Sequence, residues 1–508
     1  MTYADKIAEH ARRRARALGM GGPEKLARRK AQGLLNARER LDALLDPESF
    51  SEVGLFAVSA RVEDRDRSPA DGLVTGYGRI DGREVAVAAS DLTGLGASSA
   101  TVMGAKLRHI RETEIKNGTP LVLLGECGGA RMPDAQGAAG MGGIGLNYDY
   151  NRMRETPWVT AVLGPSFGLS TWNAVHSDVL VMRKGAVMAV SSPKVTAVAI
   201  SEEIAPEDLG GWRLQSEVAG LVDAVADDDA AALALVRRVL GYLPGHAQEP
   251  PPRIAPTAPA IASGQILSLL PAERSKVYDV RKLLACIVDA GSLLPIKDRF
   301  GRSAFTGLAR LAGQTIGIVA SNPMFKGGAL DADACDKVVS FLVLCDSFNI
   351  PIVQFADTPG FLIGLEGERR KVGGKIMNYI QAVEMATVPK FAVIMRKSYG
   401  QAYLNLGGGL SDEIAAWFTA EIGFVDPAVG VSVVHNLRRE QDPLRYDELA
   451  KGMMRDSTAY DLAGIFAAQT VIDPRETRDW LARMLEVYRR RPTGGISRHR
   501  MATWPTTF

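Results

Sequence analysis

The feature that most constrains the fold is a long internal repeat. Residues 75–90 read TGYGRIDGREVAVAAS, and residues 306–321 read TGLARLAGQTIGIVAS, a separation of 231 positions. The register continues well beyond these stretches, because Lys106 aligns with Lys337 at the same separation. Similarity that holds register this far indicates that a whole domain is written twice.

Each copy predicts the same order of elements. A strand ends in a glycine-containing turn and a second apolar strand follows, which predicts a β-hairpin. A helix-length segment and another short apolar strand come next, and strands separated by helices indicate parallel βαβ units of an α/β fold. The predicted turns, helices and last strands are Asp81-Gly82 and Ala312-Gly313, 100–117 and 332–348, and 121–124 and 352–355.

A chain of 508 residues is too long for one hydrophobic core. Between the copies lies EPPPRIAPTAPAIASG, residues 249–264, which is rich in Pro and Ala and is typical of a linker. We therefore expect an N-terminal domain over 1–255 and a C-terminal domain over 265–508.

Composition excludes several classes of protein. A formal net charge of +2 gives no bulk attraction to nucleic acid. We find no apolar run long enough to span a membrane, and the first residues lack the apolar core of a signal peptide. Four scattered cysteines argue against a zinc ribbon or a disulfide framework, and six histidines show no metal spacing. We expect a cytoplasmic protein that binds neither metal nor nucleic acid.

Glycine-bearing loops follow the last strand of each copy. The first loop contains Gly128, Gly129, Ala130 and Arg131, and the second contains Pro359, Gly360 and Phe361. Ligands of open α/β units gather at the carboxyl ends of strands, and glycine lets backbone N–H groups approach a ligand. These segments are either ligand loops or tight turns between a strand and a helix.

Each copy has a second glycine-bearing segment after an apolar strand, at residues 162–170 and 393–403. Successive backbone N–H groups at a helix start form an oxyanion hole, which stabilises a thioester enolate or binds the ureido oxygen of biotin. A helix start packed closely on its strand is the alternative interpretation.

Other signals are weak. Residues 137–145 are glycine-rich but lack the ending of a phosphate loop, and Ser170 and Ser398 lack evident triad partners. The cluster Arg12–Arg16 predicts either the solvated face of an N-terminal helix or a contact with the phosphates of a cofactor.

Taken together, these residues resemble the carboxyltransferase (β) subunits of biotin-dependent acyl-CoA carboxylases, such as the propionyl-CoA and methylcrotonyl-CoA enzymes. The resemblance covers nearly the whole chain and rests on the order and spacing of many short motifs. They include NARERL at 36–41, DGLVTGYG at 71–78, GGARM at 128–132, EDLGG at 207–211, FGR at 300–302, DTPGF at 357–361 and ATVPK at 386–390.

The resemblance implies a fold, an assembly and a reaction. The fold would be two tandem homologous crotonase-type (ClpP/crotonase-like) ββα-superhelix domains, in a homohexamer built as a dimer of trimers. Acyl-CoA would lie mainly on the first domain, and carboxybiotin on the second domain of a neighbouring protomer. Proximity and oriented backbone dipoles would stabilise the enolate, so that no titrating side chain is needed.

The resemblance also assigns roles by position. Gly168 and Leu169 would hold the thioester oxygen, and Gln401 and Ala402, following Gly400, would hold the biotin carbonyl. The loops Gly128–Arg131 and Pro359–Phe361, with Leu404, would contact substrate.

This chain departs from the family pattern at both holes. The family usually has Gly-Gly at 168–169 and a second glycine at 401, where this chain has Leu169 and Gln401. We expect each replacement to lose access to positive φ and to add bulk. Leu404 stands where many propionyl-type members carry Asp, GLEGERRKVGGK at 364–375 replaces a histidine-containing loop, and Val425-Asp426 replaces Met-Gly.

Three functions stay open. The first is a carboxyltransferase subunit acting on an uncommon acyl-CoA, which needs a separate biotin carboxylase and biotin carrier (α) subunit. The second is the carboxyltransferase part of a biotin-dependent carboxyacyl-CoA decarboxylase, towards which the glycine-rich run after Tyr403 points. The third is a non-catalytic, structural or regulatory subunit, suggested by Leu169 and Gln401.

Overall fold

The computed structural model describes residues 2–145, 152–491 and 499–505. The chain divides into two compact units, Met1–Ala247 and Gln248–Phe508. Each unit has its own mixed sheet, and the described residues supply eight strands to each. No helix within those described ranges is long and apolar enough to cross a membrane.

The first sheet begins antiparallel and continues parallel. Its strands pair in the order β1-β2-β3-β4-β5-β6-β8, and β7 pairs with the carboxyl-terminal end of β5. The pairs from β3 onwards are parallel. The strands are β1 Ser51–Val53, β2 Leu73–Ile80, β3 Arg83–Ser90, β4 Leu121–Cys127, β5 Trp158–Phe167, β6 Val179–Arg183, β7 Val187–Ala189 and β8 Ala224–Ala226.

Helices cover this sheet and occupy its connections. A capping box begins α3, because the side chain of Asn36 accepts from the N–H of Glu39, whose carboxylate accepts from the N–H of Asn36. The helices are α1 Tyr3–Leu18, α2 Pro23–Ala31, α3 Ala37–Leu44, α4 Thr101–Asn117, α5 Met132–Ala135, α6 Gly137–Gly145, α7 Leu169–His176, α8 Pro193–Ile200, α9 Pro206–Gly210 and α10 Asp229–Tyr242.

The second sheet repeats the first. Its order is β16-β14-β13-β12-β11-β10-β9, with β15 paired to β13, and it again starts with an antiparallel hairpin. The strands are β9 Leu294–Pro295, β10 Ala304–Leu311, β11 Gln314–Ser321, β12 Ile352–Thr358, β13 Lys390–Tyr399, β14 Glu413–Trp417, β15 Glu421–Gly423 and β16 Thr470–Ile472.

The helices of the second unit complete the repeat. The helix α13 takes the place of α4, and α16 takes the place of α7 directly after its strand. They are α11 Ile266–Leu269, α12 Val280–Leu284, α13 Ala332–Ser347, α14 Leu365–Arg369, α15 Val372–Met385, α16 Gln401–Asn405, α17 Pro427–Val434, α18 Pro443–Met453, α19 Ala459–Gly464 and α20 Thr477–Tyr488.

The two equivalent hairpins account for the similarity between residues 75–90 and 306–321. Asp81 and Ala312 both have positive φ, 51° and 52°, and each precedes a glycine with φ 78°. Positive φ at two central residues is the signature of a type I′ turn, which matches the twist of a hairpin. The prediction of two tandem homologous α/β domains is confirmed.

The Pro- and Ala-rich segment 249–264 lies against the second unit. Ile254 donates its N–H to the carbonyl of Gly313 at 3.0 Å. The guanidinium of Arg310 also donates to the carbonyl of Pro252. A side chain at Gly313 would collide with the Ile254 carbonyl, so this close approach needs glycine.

Candidate active site

The glycine-bearing loops of each unit follow two neighbouring parallel strands. In the first unit β4 and β5 pair at their carboxyl ends, where Cys127 lies opposite Ser166. In the second unit the pair is Thr358 on β12 and Ser398 on β13. Each sheet therefore brings its two loops to one edge, where open α/β folds bind ligands.

In the first unit the backbone turns sharply at Gly168. Its φ of 61° and ψ of −117° belong to a region that only glycine occupies readily. Its N–H already donates to the carbonyl of Ala189 at 3.3 Å. Gly168 therefore shapes the turn, and the first N–H group left for a ligand is that of Leu169.

Two of the N–H groups where β4 and β5 end have no acceptor in the described part of the chain. They belong to Leu169, the first residue of α7, and to Ala130, in the loop after β4. Ala130 lies beside Ser99 in a parallel bridge, which fixes the loop through the N–H of Arg131 and the carbonyl of Gly129. These donors meet the chemical requirement of an oxyanion hole.

The second unit repeats this arrangement. Gly400 has φ 59° and ψ −145°, and its N–H donates to the carbonyl of Gly423 at 3.0 Å. The N–H groups of Gln401, Ala402 and Phe361 have no acceptor within the described ranges. Phe361 bridges to Leu330 as Ala130 bridges to Ser99.

The loss of access to positive φ at Leu169 and Gln401 leaves the observed turns unstrained. Neither residue has positive φ, and each is the first residue of a helix. The positive φ lies one position earlier, at Gly168 and Gly400, both of which are present. A side chain after the glycine is therefore compatible with the turn, and both N–H groups keep their place.

The side chain of Gln401 lies along α16. Its Nε2 donates to Oδ1 of Asn405 at 3.1 Å, and Nδ2 of buried Asn405 donates to the carbonyl of Ile376 at 3.1 Å. Leu404, on the same helix, is half-buried. Ala402 is buried, and the hydroxyl of buried Ser398 has no partner among the described residues.

The loop Gly128–Arg131 contributes backbone to the site. Gly128 donates its N–H to the carbonyl of Gly96 at 2.9 Å, and Gly129 has φ 113°. The buried guanidinium of Arg131 donates to Asp71 at 2.7 Å and to Ser98. The Arg131 side chain thus supports the loop from behind, and burial raises the pKa of the Asp71 carboxyl despite this contact.

The loop Pro359–Phe361 is held in the same way. Gly360 has φ 124°, its N–H donates to the Thr358 hydroxyl at 3.1 Å, and its carbonyl accepts from Leu330 at 3.0 Å. Pro359 is exposed and Phe361 is half-buried. The loop therefore presents backbone at the sheet edge.

The carboxylates that end β4 and β12 are structural. Glu126 is buried and accepts from Arg29 at 2.7 Å and from Arg40 at 3.3 Å. Asp357 is buried and accepts from Arg396 at 2.9 Å and from the hydroxyl of Tyr278 at 2.8 Å. Each carboxylate is thus engaged by a buried guanidinium, and removing one partner of such a pair would leave the other charge buried and uncompensated.

Two lysines that the internal repeat aligns are buried, one in each unit, and each has a structural role. The ammonium of Lys106 donates to the carbonyls of Ala70, at 2.8 Å, and Leu73. Lys337 donates to the carbonyls of Phe300, at 3.0 Å, and Ala304, at 2.8 Å. Burial lowers the pKa of Lys106 to about 8 and that of Lys337 to about 7. Each lysine ties the segment before a hairpin to the following helix.

No group of three or more His, Cys, Asp or Glu side chains within residues 2–145, 152–491 and 499–505 is arranged to hold a metal ion. The N–H groups of Gln401 and Ala402, which have no acceptor in the described part of the chain, are donors of the kind that would hold the carbonyl oxygen of biotin. A Cβ at Gly400 would lie 3.1 Å from the Phe424 carbonyl, so glycine lets these two stretches of backbone approach each other.

Comparison of this chain with known proteins identifies one family. The carboxyl transferase domain family matches residues 28–502. The carboxyltransferase subunit of propionyl-CoA carboxylase from Haloferax mediterranei is 32% identical over 95% of this chain and 95% of its own length. The methylmalonyl-CoA decarboxylase subunit alpha from Veillonella parvula is 33% identical over 94% of each chain.

Solved structures give the same answer. The crystal structure of the hexameric transcarboxylase 12S core with methylmalonyl-CoA bound superimposes with a TM-score of 0.89 at 32% identity and covers 96% of each chain.

Proposed function

Because the chain belongs to the carboxyl transferase family, we propose that it transfers a carboxyl group between carboxybiotin and an acyl-CoA. It is an enzyme of the biotin-dependent acyl-CoA carboxyltransferase class. The observation that carries the site assignment is the retention of both positive-φ glycines, Gly168 and Gly400, each followed by an N–H group with no acceptor in the described chain.

The first unit would bind the acyl-CoA. The N–H groups of Leu169 and Ala130 would donate to the thioester oxygen and stabilise the negative charge that an enolate develops there. Fixed backbone donors need no reorganisation during the reaction, and each is worth roughly 3–4 kcal/mol of transition-state stabilisation. We keep 1–255 as the domain that contains this site.

The second unit would bind biotin, and we assign this role to the domain 265–508. The N–H groups of Gln401 and Ala402 would donate to the carbonyl oxygen of the biotin ring system, and Phe361 lies at the same sheet edge. When bound, carboxybiotin supplies the carboxyl group. The backbone of the second unit would orient that group, and Gly400 supplies the turn that starts the helix carrying these donors.

Partners and assembly follow from the relatives. The transcarboxylase 12S core is a hexamer that binds methylmalonyl-CoA. We propose a homohexamer, a dimer of trimers, served by a biotin carboxylase and biotin carrier (α) subunit. We also keep the cytoplasm as its compartment, which the four free, buried cysteines support.

A biotin-dependent decarboxylase is the second candidate. The relatives named carboxylase and decarboxylase are almost equally similar to this chain, at 32% and 33% identity. Sequence identity therefore does not distinguish carboxylation from decarboxylation as the physiological direction. The run Gly407–Gly409 after α16 favours the decarboxylase branch. The third hypothesis, a non-catalytic subunit, loses its main support because Leu169 and Gln401 fit the helix starts without positive φ.

Transcarboxylation by the purified chain tests this proposal. Malonyl-, methylmalonyl-, glutaconyl- and methylglutaconyl-CoA are each mixed with biocytin, and loss of the carboxylate is followed, with biocytin omitted as the control. Turnover that needs biocytin supports the proposal and identifies the acyl group. No turnover on any thioester, alone or with the partner subunits added, would overturn it. ATP-dependent carboxylation in the assembled enzyme would separate the carboxylase from the decarboxylase.

A further inference from the structure

The residue before the second positive-φ glycine carries a buried hydroxyl group. Tyr399 is the last residue of β13 and is 3% exposed. Its hydroxyl donates to the carboxylate of Glu421 at 3.0 Å and accepts a hydrogen bond from the guanidinium of Arg274. Burial raises the pKa of this phenol, so the hydroxyl keeps its proton and remains a donor. Tyr399 is therefore held by two partners directly before the turn at Gly400.

Arg274 joins this hydroxyl to two carboxylates. Its Nη2 donates to Asp426 at 2.8 Å, and its Nε lies 2.7 Å from Oε2 of Glu421. The guanidinium also lies over the ring of Tyr399, 5.4 Å from the ring centroid, which is within the range of cation–π attraction. We call Arg274, Tyr399, Glu421 and Asp426 the arginine clamp. Removing the guanidinium would leave both carboxylates without this cation.

The arginine clamp connects β15 to the end of β13. Glu421 is the first residue of β15, and Gly423 at the end of that strand pairs with Tyr399 in parallel register. The carbonyl of Gly423 accepts from the N–H of Gly400 at 3.0 Å. The hydrogen bond that fixes the turn at Gly400 therefore depends on how closely β15 lies against β13.

Asp426 extends the arginine clamp to the next helix. It stands where the sequence departs from the family pattern, at Val425-Asp426. One of its carboxylate oxygens accepts from the N–H of Ala428 at 2.9 Å and caps α17, while the other accepts from Arg274. The guanidinium thus contacts the strand end, β15 and the start of α17 together.

The first unit has apolar side chains at the equivalent positions. Phe167 takes the place of Tyr399, because β5 pairs with β7 in the same register as β13 pairs with β15. By the same register, Val187 takes the place of Glu421. Neither side chain has a hydrogen-bonding group. Loss of the arginine clamp should therefore affect the second hole and leave the first hole unchanged.

We propose that Arg274 is a positioning residue for the second oxyanion hole. Through Tyr399 and Glu421 it holds the turn at Gly400 in the geometry that presents the next N–H groups to the biotin carbonyl. Arg274 acts through these residues and not by contact with a reactant. The proposal rests on the proposed function, which assigns biotin to the second unit, and it requires that losing Arg274 impairs the use of biotin while sparing the use of the thioester.

Steady-state kinetics with separate titration of the two substrates test this selectivity. The variants R274Q, R274K and Y399F are compared with R491Q in biocytin-dependent decarboxylation of the carboxyacyl-CoA. Arg491 is the matched control, because its guanidinium also lies over a tyrosine ring, that of Tyr488, and pairs with a half-buried carboxylate. That carboxylate, of Asp412, accepts from the N–H of the first residue of β13, at the end of the strand remote from Gly400.

The expected result is a change in one substrate only. We expect R274Q to lower kcat/KM for biocytin by about tenfold or more, because charge-assisted hydrogen bonds are lost, and to leave KM for the carboxyacyl-CoA within about twofold of the wild type. R274K keeps a cation and should recover part of the loss, and Y399F should show a smaller loss than R274Q. R491Q should stay within about twofold of the wild type for both substrates. Wild-type kinetics of R274Q, or an equal loss for both substrates, would overturn the proposal.

Hydrogen–deuterium exchange tests the arginine clamp without requiring turnover. The N–H of Gly400 is bonded to Gly423, so R274Q should speed its exchange by about tenfold or more as β15 opens, while the N–H of Gly168 exchanges at the wild-type rate. Unchanged exchange at Gly400 would overturn the proposal even if the enzyme is active. A wild type that turns over no thioester would instead contradict the proposed function, so the two failures are distinguishable.

Discussion

Gly168 and Gly400 occupy equivalent places in the two units and have nearly the same φ, 61° and 59°. Each ends a long buried strand, donates its N–H to a neighbouring backbone carbonyl, and precedes a helix. The duplication has therefore preserved the turn that exposes the next N–H group, although the side chains after the glycine differ.

The residues after these glycines should tolerate change. We expect L169G and Q401G to keep kcat within about threefold of the wild type, because each variant keeps the backbone N–H that stabilises the oxyanion. The measurement is biotin-dependent decarboxylation of the preferred thioester. A gain of a hundredfold or more on restoring glycine would show that Leu169 or Gln401 blocks its hole.

The glycines themselves should not tolerate change. G168A and G400A place a Cβ in a region that costs roughly 1–3 kcal/mol. We expect G400A to be the more destabilised, because its Cβ would lie 3.1 Å from the Phe424 carbonyl, against 3.8 Å from the Val190 carbonyl for G168A. Urea denaturation measures the free energy of unfolding of both variants. A value equal to that of the wild type in either variant would show that alanine is not strained at that position.

Removing the carboxylate of Glu126 should destabilise the first unit. E126A leaves buried Arg29 and Arg40 without this partner, and breaking a buried ion pair in this way costs about 3–5 kcal/mol. E24A is the matched control, since Glu24 pairs with Arg28 at the surface and its loss should cost less than about 1 kcal/mol. Similar unfolding midpoints for the two variants would refute the structural role of Glu126.

Glu114 should make stability depend on pH. Burial raises the pKa of this carboxyl to about 8, which outweighs a hydrogen bond from Thr156 and the nearby charges of Arg152 and Arg111. A raised acid pKa means that the folded state binds more protons than the unfolded state between the ordinary pKa of 4.5 and about 8. Stability should therefore fall as pH rises through this window, by at most about 1.4 kcal/mol per pH unit.

The isosteric variant E114Q isolates this effect. It keeps the shape of the protonated acid and cannot ionise, so the difference in unfolding free energy between wild type and E114Q should change steadily from pH 5 to pH 8. A difference that stays constant across these pH values would show that Glu114 does not titrate in the window.

The sequence predicted the repeat because hydrophobic alternation and turn glycines are local signals. The hairpin at Asp81-Gly82, the capping box at Asn36 and the α4 and α13 helices all follow from residues near one another in the chain. Contacts between residues far apart in the chain could not be predicted from such local signals. Nothing near Glu126 in sequence indicates that Arg29, 97 positions earlier, neutralises it.

The candidate site was predicted in part for the same reason. The glycine-bearing segments identified the loops, but which residue of each turn adopts positive φ depends on how the strand ends, and only the structure places it at Gly168 and Gly400. Arg131 was assigned to substrate as part of the loop Gly128–Arg131, and only the fold reveals that Asp71 binds its side chain.

The central claim is that backbone N–H groups, and not side chains, stabilise the charge that develops in the reaction. The measurement that tests it most directly compares kcat of L169P with that of L169A. Proline is tolerated at the first position of a helix but removes the N–H, whereas alanine keeps it. We predict that L169P lowers kcat by about 10²–10³-fold while L169A stays near the wild type. Equal activity of the two variants would contradict the account.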